Sequence, residues 1–444
     1  MSKVVIQADC SKEIGKIKPM HAVNNGPTGT EGDATGNFDA YKAAKIPFAR
    51  NHDAAFYASY GGEHIVDMQA VFPDFSKDEN DESAYDFTLT DLYLQKIVKA
   101  GTEVFYRLGS KIEHSPKKYG TLMPTDFAKW ARVAEHIIRH YNEGWANGLT
   151  LNIKYWEIWN EPDLHPDDTP LERKSTWSGT WQDYFDFYNV VAAHLKNQFP
   201  HLKIGGPALA YNGDFATQFI KQLKAPLDFF SWHIYTCNTA DVRWKADYIR
   251  NLLDENGYTE TESICNEWNY LKGWSDEQYI QGIKAIKSIK GASYTAAVML
   301  DSQKGSVDML MYYDARPTSW NGMFNTDLTC ELLKGYYPFL MFSKLWELNT
   351  EIQTSSSDSD VYVCGAKRGE SVALMIAHYN DTEGEEKQVE ISLQNLEVAG
   401  KTICVYMLDK DNDMQKVQTI SGDTLGETLQ VTMPAYSVCL IEVK

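Results

Sequence analysis

The sequence predicts an α/β chain: a (β/α)₈ TIM barrel followed by an accessory all-β sandwich that also takes in the N-terminal strand. Three observations carry this. Strand and helix patterns alternate eight times up to about residue 345. The texture then changes to short strands separated by turn residues. The chain has 444 residues, too many for one hydrophobic core. The expected division is a barrel over 14–345 and a sandwich over 346–444 plus 1–13.

The elements follow in order. Val4 to Ala8 is a brief strand that precedes the alternation and is assigned to the sandwich. Ile17 to Val23 opens the barrel. Phe38 to Lys45 suits a helix, and Ile46 to Arg50 is the second strand, emptying into a long loop to about Tyr85. Asp91 to Ala100 has helical spacing and stops at Gly101. Thr102 to Leu108 is the third strand. Thr125 to Tyr141 is a strong helix, with Thr125 as its N-cap and apolar residues on one face. The fourth strand, from Tyr155, is aromatic and apolar, and Pro162 is expected to end it because proline cannot donate to a ladder. Trp181 to Asn197 is a helix, Lys203 to Gly206 a strand, and Gly205-Gly206-Pro207 a tight turn. Phe215 to Leu223 and Leu227 to Tyr235 form the next helix and strand, as do Asp241 to Glu255 and Thr261 to Tyr270. Two helical segments, Asp276 to Lys290 and Ser293 to Leu300, lead to an eighth strand at Asp308 to Asp314 and a last helix at Leu332 to Leu345. Thr354 to Asp360 reads as a polar turn. Six strands then suit a sandwich: 361–366, 371–378, 388–393, 402–408, 429–432 and 437–443.

Bulk composition narrows the function. Formal charge is −19, from 61 acids against 42 bases, so neither nucleic acid nor an anionic membrane is an expected partner. Seven scattered cysteines without a CxxC pair exclude a zinc ribbon or disulfide framework and fit a reducing compartment. The opening MSKVVIQADC lacks an apolar leader, and no apolar run reaches membrane-spanning length, so a cytoplasmic location is expected. Phosphate-cradle, dinucleotide, HExxH and GxSxG motifs are absent, and no metal or cofactor is expected.

In a (β/α)₈ barrel the chemistry sits at the C-terminal strand tips. Two tips carry a glutamate beside tryptophan: Trp159-Asn160-Glu161-Pro162 after the fourth strand, and Asn266-Glu267-Trp268-Asn269 at the seventh. A carboxyl boxed in by indole and proline is poorly solvated, so the pKa of Glu161 is expected to rise, as a general acid requires. Two facing carboxylates are the equipment of glycoside hydrolysis, with an expected separation of about 5–5.5 Å for retention. On the sixth strand, alternation sends Ser231, His233 and Tyr235 to one face, and a Tyr235 hydroxyl can hold Glu267 ionised. Asn160 can donate to a sugar 2-hydroxyl. Arg50 suits either the second oxygen of Glu267 or another barrel acid. His52 and Asp53 are candidates to read sugar hydroxyls, with His64 and Asp67 as weaker ones. Trp268 and Trp320 are candidate substrate contacts, Trp320 as a stacking platform.

At WNEP, NEWN and SWHIY the chain resembles the (β/α)₈ retaining glycoside hydrolases, and within them glycoside hydrolase family 39, the β-xylosidase and α-L-iduronidase family. Tyr85-Asp86-Phe87 ahead of its helix supports the same resemblance. It implies Glu161 as acid/base, Glu267 as nucleophile, and Asn160, His52, His233 and Tyr235 as contacts to the sugar being cleaved. It implies a β-xylosidase-like specificity, and the absence of a leader adds the expectation that terminal sugars are released from an oligosaccharide or small glycoside, since a cytoplasmic enzyme meets imported fragments and not polymer. Three loops depart from that pattern: Asp53 stands where glycine is usual, Arg107-Leu108-Gly109-Ser110 replaces an apolar tip, and Arg316 stands where the xylosidases tend to be acidic. The same mechanism on another sugar (β-galactoside, α-L-arabinoside) therefore stays open, as does assembly into a homo-oligomer. A silent carbohydrate-binding barrel, and a metal-dependent hydrolase using His52, Asp53 and His233, are the other classes.

Overall fold

The computed structural model describes residues 3–52, 65–327, 329–382 and 384–444. The chain opens on a long strand, β1 (Lys3–Lys16). Then follow β2 (Ala22–Asn24), α1 (Phe38–Ala43), β3 (Phe48–Arg50), α2 (Met68–Val71), α3 (Thr88–Lys99), β4 (Glu103–Leu108), α4 (Phe127–Asn142) and β5 (Tyr155–Ile158). Next come α5 (Trp181–Gln198), β6 (Lys203–Leu209), α6 (Gly213–Gln222), β7 (Phe229–Tyr235), α7 (Thr239–Glu255), β8 (Glu262–Asn269), α8 (Asp276–Ile286), α9 (Ile289–Gln303), β9 (Met309–Tyr312) and α10 (Tyr337–Leu348). Strands β2 to β9 pair in sequence order, and β9 returns to β2, closing an eight-stranded parallel barrel.

Alternation along each strand sorts the side chains. Tyr155, Phe105, Phe229, Ile264, Met309 and Met311 point inward and form an apolar floor. Trp156, Trp232, Cys265 and Trp268 point outward and join the core shared with the helices. Two local expectations are corrected. The cap of α4 is Asp126, whose side chain accepts from the Lys129 amide at 2.8 Å, one residue beyond Thr125. Gly205-Gly206-Pro207 lies within β6 and forms no tight turn. Glycine is needed at 205 because a Cβ there would meet the Phe229 carbonyl oxygen of β7 at 2.3 Å.

Beyond α10 come β10 (Thr350–Ser356), β11 (Val361–Arg368), β12 (Ser371–His378), β13 (Lys387–Gln394), β14 (Thr402–Leu408), β15 (Asp413–Ser421), β16 (Leu429–Met433) and β17 (Ser437–Val443). They form one nine-stranded sheet, ordered β15-β14-β17-β12-β11-β10-β1-β13-β16. Strand β1 pairs antiparallel with β10 and parallel with β13, so both chain ends build it. The sheet folds over on itself: Val405 of β14, Ile6 of β1 and Val431 of β16 share one buried cluster. Its other face, with Ala366, Met375 and Leu440, joins the barrel's core against α9 and α10. The polar turn expected at Thr354 instead continues β10 to Ser356. All seven cysteines are free thiols. No helix among the described residues is long and apolar enough to cross a membrane.

Candidate active site

Glu161 is placed by a strained turn. Strand β5 stops at Ile158, four residues before the proline, because Trp159 takes a left-handed backbone at φ 73°. Glu161 is also left-handed, at φ 48°. Such conformations cost about 1–3 kcal/mol each for a non-glycine residue and persist only when neighbours fix them. Here the Trp159 amide donates to Leu108 O at 2.7 Å and its indole to Thr176 O at 2.8 Å. The Glu161 amide donates to Ala208 O at 3.1 Å, and the Thr176 hydroxyl donates to Glu161 O at 2.8 Å.

Glu267 is placed by a bulge. Ile264 points into the barrel and Cys265 outward. Asn266 then points in, donating its amide to Glu157, so strict alternation would send Glu267 out. The pairing with β7 skips Asn266: Cys265 faces Trp232 and Glu267 faces His233. That extra residue turns Glu267 back to the barrel mouth. It also returns Trp268 to the outer face, where it packs on Tyr294 and Tyr312 at 6.1 and 5.5 Å. Trp268 does not line the site, which corrects the sequence expectation.

The two carboxylates sit in one hydrogen-bonded cluster. Tyr235 donates to Glu267 Oε1 at 2.6 Å, and His233 Nδ1 lies 2.8 Å from Glu161 Oε1. Arg50 uses its whole fork: Nε to Glu157 at 2.7 Å, Nη1 to Glu267 Oε2 at 3.2 Å and to Asn24 at 3.1 Å, and Nη2 to Asn160 Oδ1 at 2.7 Å. Both readings of Arg50 hold at once. Burial pushes Glu267 above the usual carboxylate range, while His233, Arg50 and the Tyr235 hydroxyl pull it down. Burial lowers His233 to about 4, so its ring is neutral at pH 7. Burial likewise holds His52 well below its ordinary value and Tyr235 well above, so the phenol remains a donor.

Arg50 and Glu157 are both fully buried. Replacing Arg50 with Met should therefore strand an unpaired carboxylate and cost about 3–5 kcal/mol of stability. The check is the urea midpoint, which should fall with little change in slope.

His52, Glu161, His233, Tyr235, Glu267 and Trp320 line one cavity of about 1250 Å³ at the C-terminal barrel mouth. His52 Nε2 is 3.8 Å from Glu267 Oε2. Asn160 is reached through Arg50, and its buried Nδ2 has no partner among the described residues. Trp320 packs on Tyr235 at 5.0 Å. Asp53 and His64 lie outside the described residues. Asp67 is held by Arg107 at 2.9 Å. Sequence reasoning missed Glu157, whose inward phase between Trp156 and Ile158 was readable. It also missed Tyr211, Trp244, Lys245, Tyr248, Trp274 and Tyr279, which come from loops and helix faces around the mouth.

Among the described residues, the group that could hold a metal ion is Glu161, His233 and Glu267, with ligand atoms all within 4.8 Å of one another. Its donor set fits a cation poorly. Both Glu267 oxygens are engaged, one by the fixed positive charge of Arg50, and Glu161 Oε1 is engaged by His233. The cluster suits proton transfer and covalent attack better than metal binding.

Two buried glutamates meeting at the mouth of a (β/α)₈ barrel define the paired-carboxylate class of glycoside hydrolases. Within that class the chain belongs to one family: the model for glycosyl hydrolases family 39 matches residues 12–264. Glu161 falls inside the matched stretch and Glu267 three residues beyond it. A β-xylosidase of Geobacillus stearothermophilus is 32% identical over 136 residues, 29% of this chain and 25% of that protein. A funoran endo-beta-hydrolase of Wenyingzhuangia aestuarii is 29% identical over 313 residues, 60% of this chain and 40% of its own length. The chain thus spans well under half of either relative. The crystal structure of a glucosidase from Croceicoccus marinus superposes over 100% of this chain and 99% of its own, with a TM-score of 0.79 and 20% identity.

Proposed function

We propose that the chain is a retaining glycoside hydrolase that releases terminal sugars by double displacement, with Glu267 as nucleophile and Glu161 as acid/base. The observation that carries this is the geometry of the pair: an oxygen of Glu161 and one of Glu267 lie within 4.8 Å, and Glu267 is held by Arg50 at 3.2 Å and by the Tyr235 hydroxyl at 2.6 Å. That spacing is on the retaining side, since an inverting pair stands about 6.5–9.5 Å apart to admit water.

Glu267 attacks the anomeric carbon as the glycosidic C–O bond breaks. The bond's electron pair leaves on the aglycone oxygen, which takes the proton of Glu161. In the second half, water adds to the anomeric carbon, Glu161 accepts its proton, and the ester bond to Glu267 breaks. Both glutamates return to their starting states. His233 suits this cycle because its neutral ring, 2.8 Å from Glu161, holds that carboxyl in place without adding a fixed charge beside it. Asn160, with its buried unpartnered Nδ2, is the donor to the sugar 2-hydroxyl, a contact that strengthens at the transition state.

The specificity we favour is β-xylosidase-like, from the matched β-xylosidase. A second reading, internal cleavage of a funoran-like polymer, draws on the matched funoran endo-beta-hydrolase and on a cavity larger than a typical ligand pocket of about 300–1,000 Å³. Aryl β-xyloside, β-galactoside and α-L-arabinoside decide the sugar. At least one should turn over, and a chelator should leave the rate unchanged. No turnover across a widened panel, or loss on chelation, would refute the proposal.

Tyr235→Phe removes a hydrogen bond that lowers the Glu267 pKa. The folded-state value should then rise further. Since the nucleophile must be ionised, the acidic limb of kcat/KM should move to higher pH while the alkaline limb stays in place. An unmoved acidic limb would show that Tyr235 does not tune Glu267.

A further inference from the structure

The catalytic cavity carries aromatic rings on two sectors of its rim. One belongs to the nucleophile: Trp320 and Trp274 pack on Tyr235, the donor to Glu267, at 5.0 and 5.5 Å. The other has no part in the chemistry described so far. Trp244 and Tyr248, one helical turn apart on α7, stack at 5.8 Å with an interplanar angle of 11°, and Tyr211 rises from the loop after β6. Trp244 is 68% exposed and Tyr211 60%, yet both line the same cavity as the two glutamates.

This second face is bolted to the Glu161 side of the site. Asp163, fully buried two residues after Glu161, accepts three amides of the neighbouring loop: Ala210 at 2.8 Å, Tyr211 at 2.9 Å and Asn212 at 2.8 Å. Lys245, between the two aromatic residues of α7, donates from Nζ to Ala210 O at 3.0 Å and to His233 O at 2.6 Å. Tyr248 reaches the same loop, its hydroxyl donating to Gly213 O at 3.3 Å. A buried carboxylate and a buried ammonium thus fix exposed rings relative to Glu161 and its partner His233. Rings that merely happened to be on the surface would not need such anchoring.

We infer that Tyr211, Trp244 and Tyr248 form a binding platform for the leaving-group part of a saccharide at least two rings long on that side. The inference rests on the proposed roles of the glutamates. The acid protonates the departing oxygen, so the aglycone must lie on the acid's side, where this platform is anchored. Sugar rings present apolar C–H faces that pack on indole and phenol, and a platform continuous with the cleavage site takes the next rings of the same chain. The substrate is therefore an oligosaccharide or the end of a polymer, with specificity read beyond the scissile bond.

The test is binding to the Glu161→Gln protein, which does not depend on turnover, followed by tryptophan fluorescence and calorimetry. The probes are β-1,4-xylo-oligosaccharides and β-linked galacto-oligosaccharides of two to six rings. In one of the two series affinity should rise about tenfold or more between two and four rings. Adding Trp244→Ala should reduce that gain to about threefold or less, and Trp244→Phe should restore most of it. A gain with length that survives Trp244→Ala, or affinity flat with length in both series, would overturn the platform. Wild-type turnover is a separate arm. A protein that binds with the expected length dependence but cleaves nothing would sink the catalytic reading and leave the platform standing.

Discussion

Glu267→Ala is expected to lower turnover of every glycoside substrate, aryl glycosides included, by a factor on the order of 10⁶, the scale seen when a covalent nucleophile is removed. Without Glu267 no glycosyl-enzyme forms, and an activated leaving group does not help. Azide can enter the space the side chain vacates and attack the anomeric carbon directly. The adduct should then have inverted configuration. Stability should hold or increase, because the variant removes a buried carboxylate that carries a desolvation penalty, although Arg50 loses one of its acceptors. A variant that unfolds would show a changed urea slope, so the two causes of inactivity are separable.

Glu161→Ala should behave differently. Loss of the proton donor is worth about 10² to 10⁴ in rate for a leaving group that needs a proton. A dinitrophenolate or similar leaving group needs none, so glycosylation of Glu267 should survive. Deglycosylation then limits turnover, because water has lost its base. Azide needs no base, so it should restore turnover and yield an adduct of retained configuration. Configurations exchanged between the two variants, read by NMR, would reverse the roles of the two glutamates.

The barrel was legible because its strands are short, apolar and separated by strongly amphipathic helices such as α4. His233 and Tyr235 were legible because strand phase alone aims them at the mouth, and Glu161 because its strand visibly ends near Pro162; the left-handed turn at Trp159 that places Glu161 was not legible. Trp268 was misplaced because simple alternation cannot show the bulge at Asn266, which shifts every later side chain of β8 by one step. Strand β15, DMQKVQTIS, was missed because it is an edge strand with little buried surface and no apolar face to betray it. The second aromatic platform was not legible either. Trp244 and Tyr248 sit at ordinary helical spacing, where an aromatic pair normally signals a buried face, and only exposure and the Asp163 and Lys245 anchors mark it as a surface for a ligand.

The asymmetry of the pair also comes from geometry that sequence could not supply. Arg50 and the Tyr235 hydroxyl hold Glu267 whereas His233 holds Glu161, so the two carboxylates, alike in their sequence surroundings, have different partners. That difference is the physical basis for giving them different roles.

The most direct measurement is the anomeric configuration of the sugar first released by the wild-type protein from an aryl glycoside, followed by proton NMR before mutarotation. Double displacement through Glu267 predicts that the first product has the same anomeric configuration as the substrate. A first product of opposite configuration would mean a single displacement by water and would contradict the account.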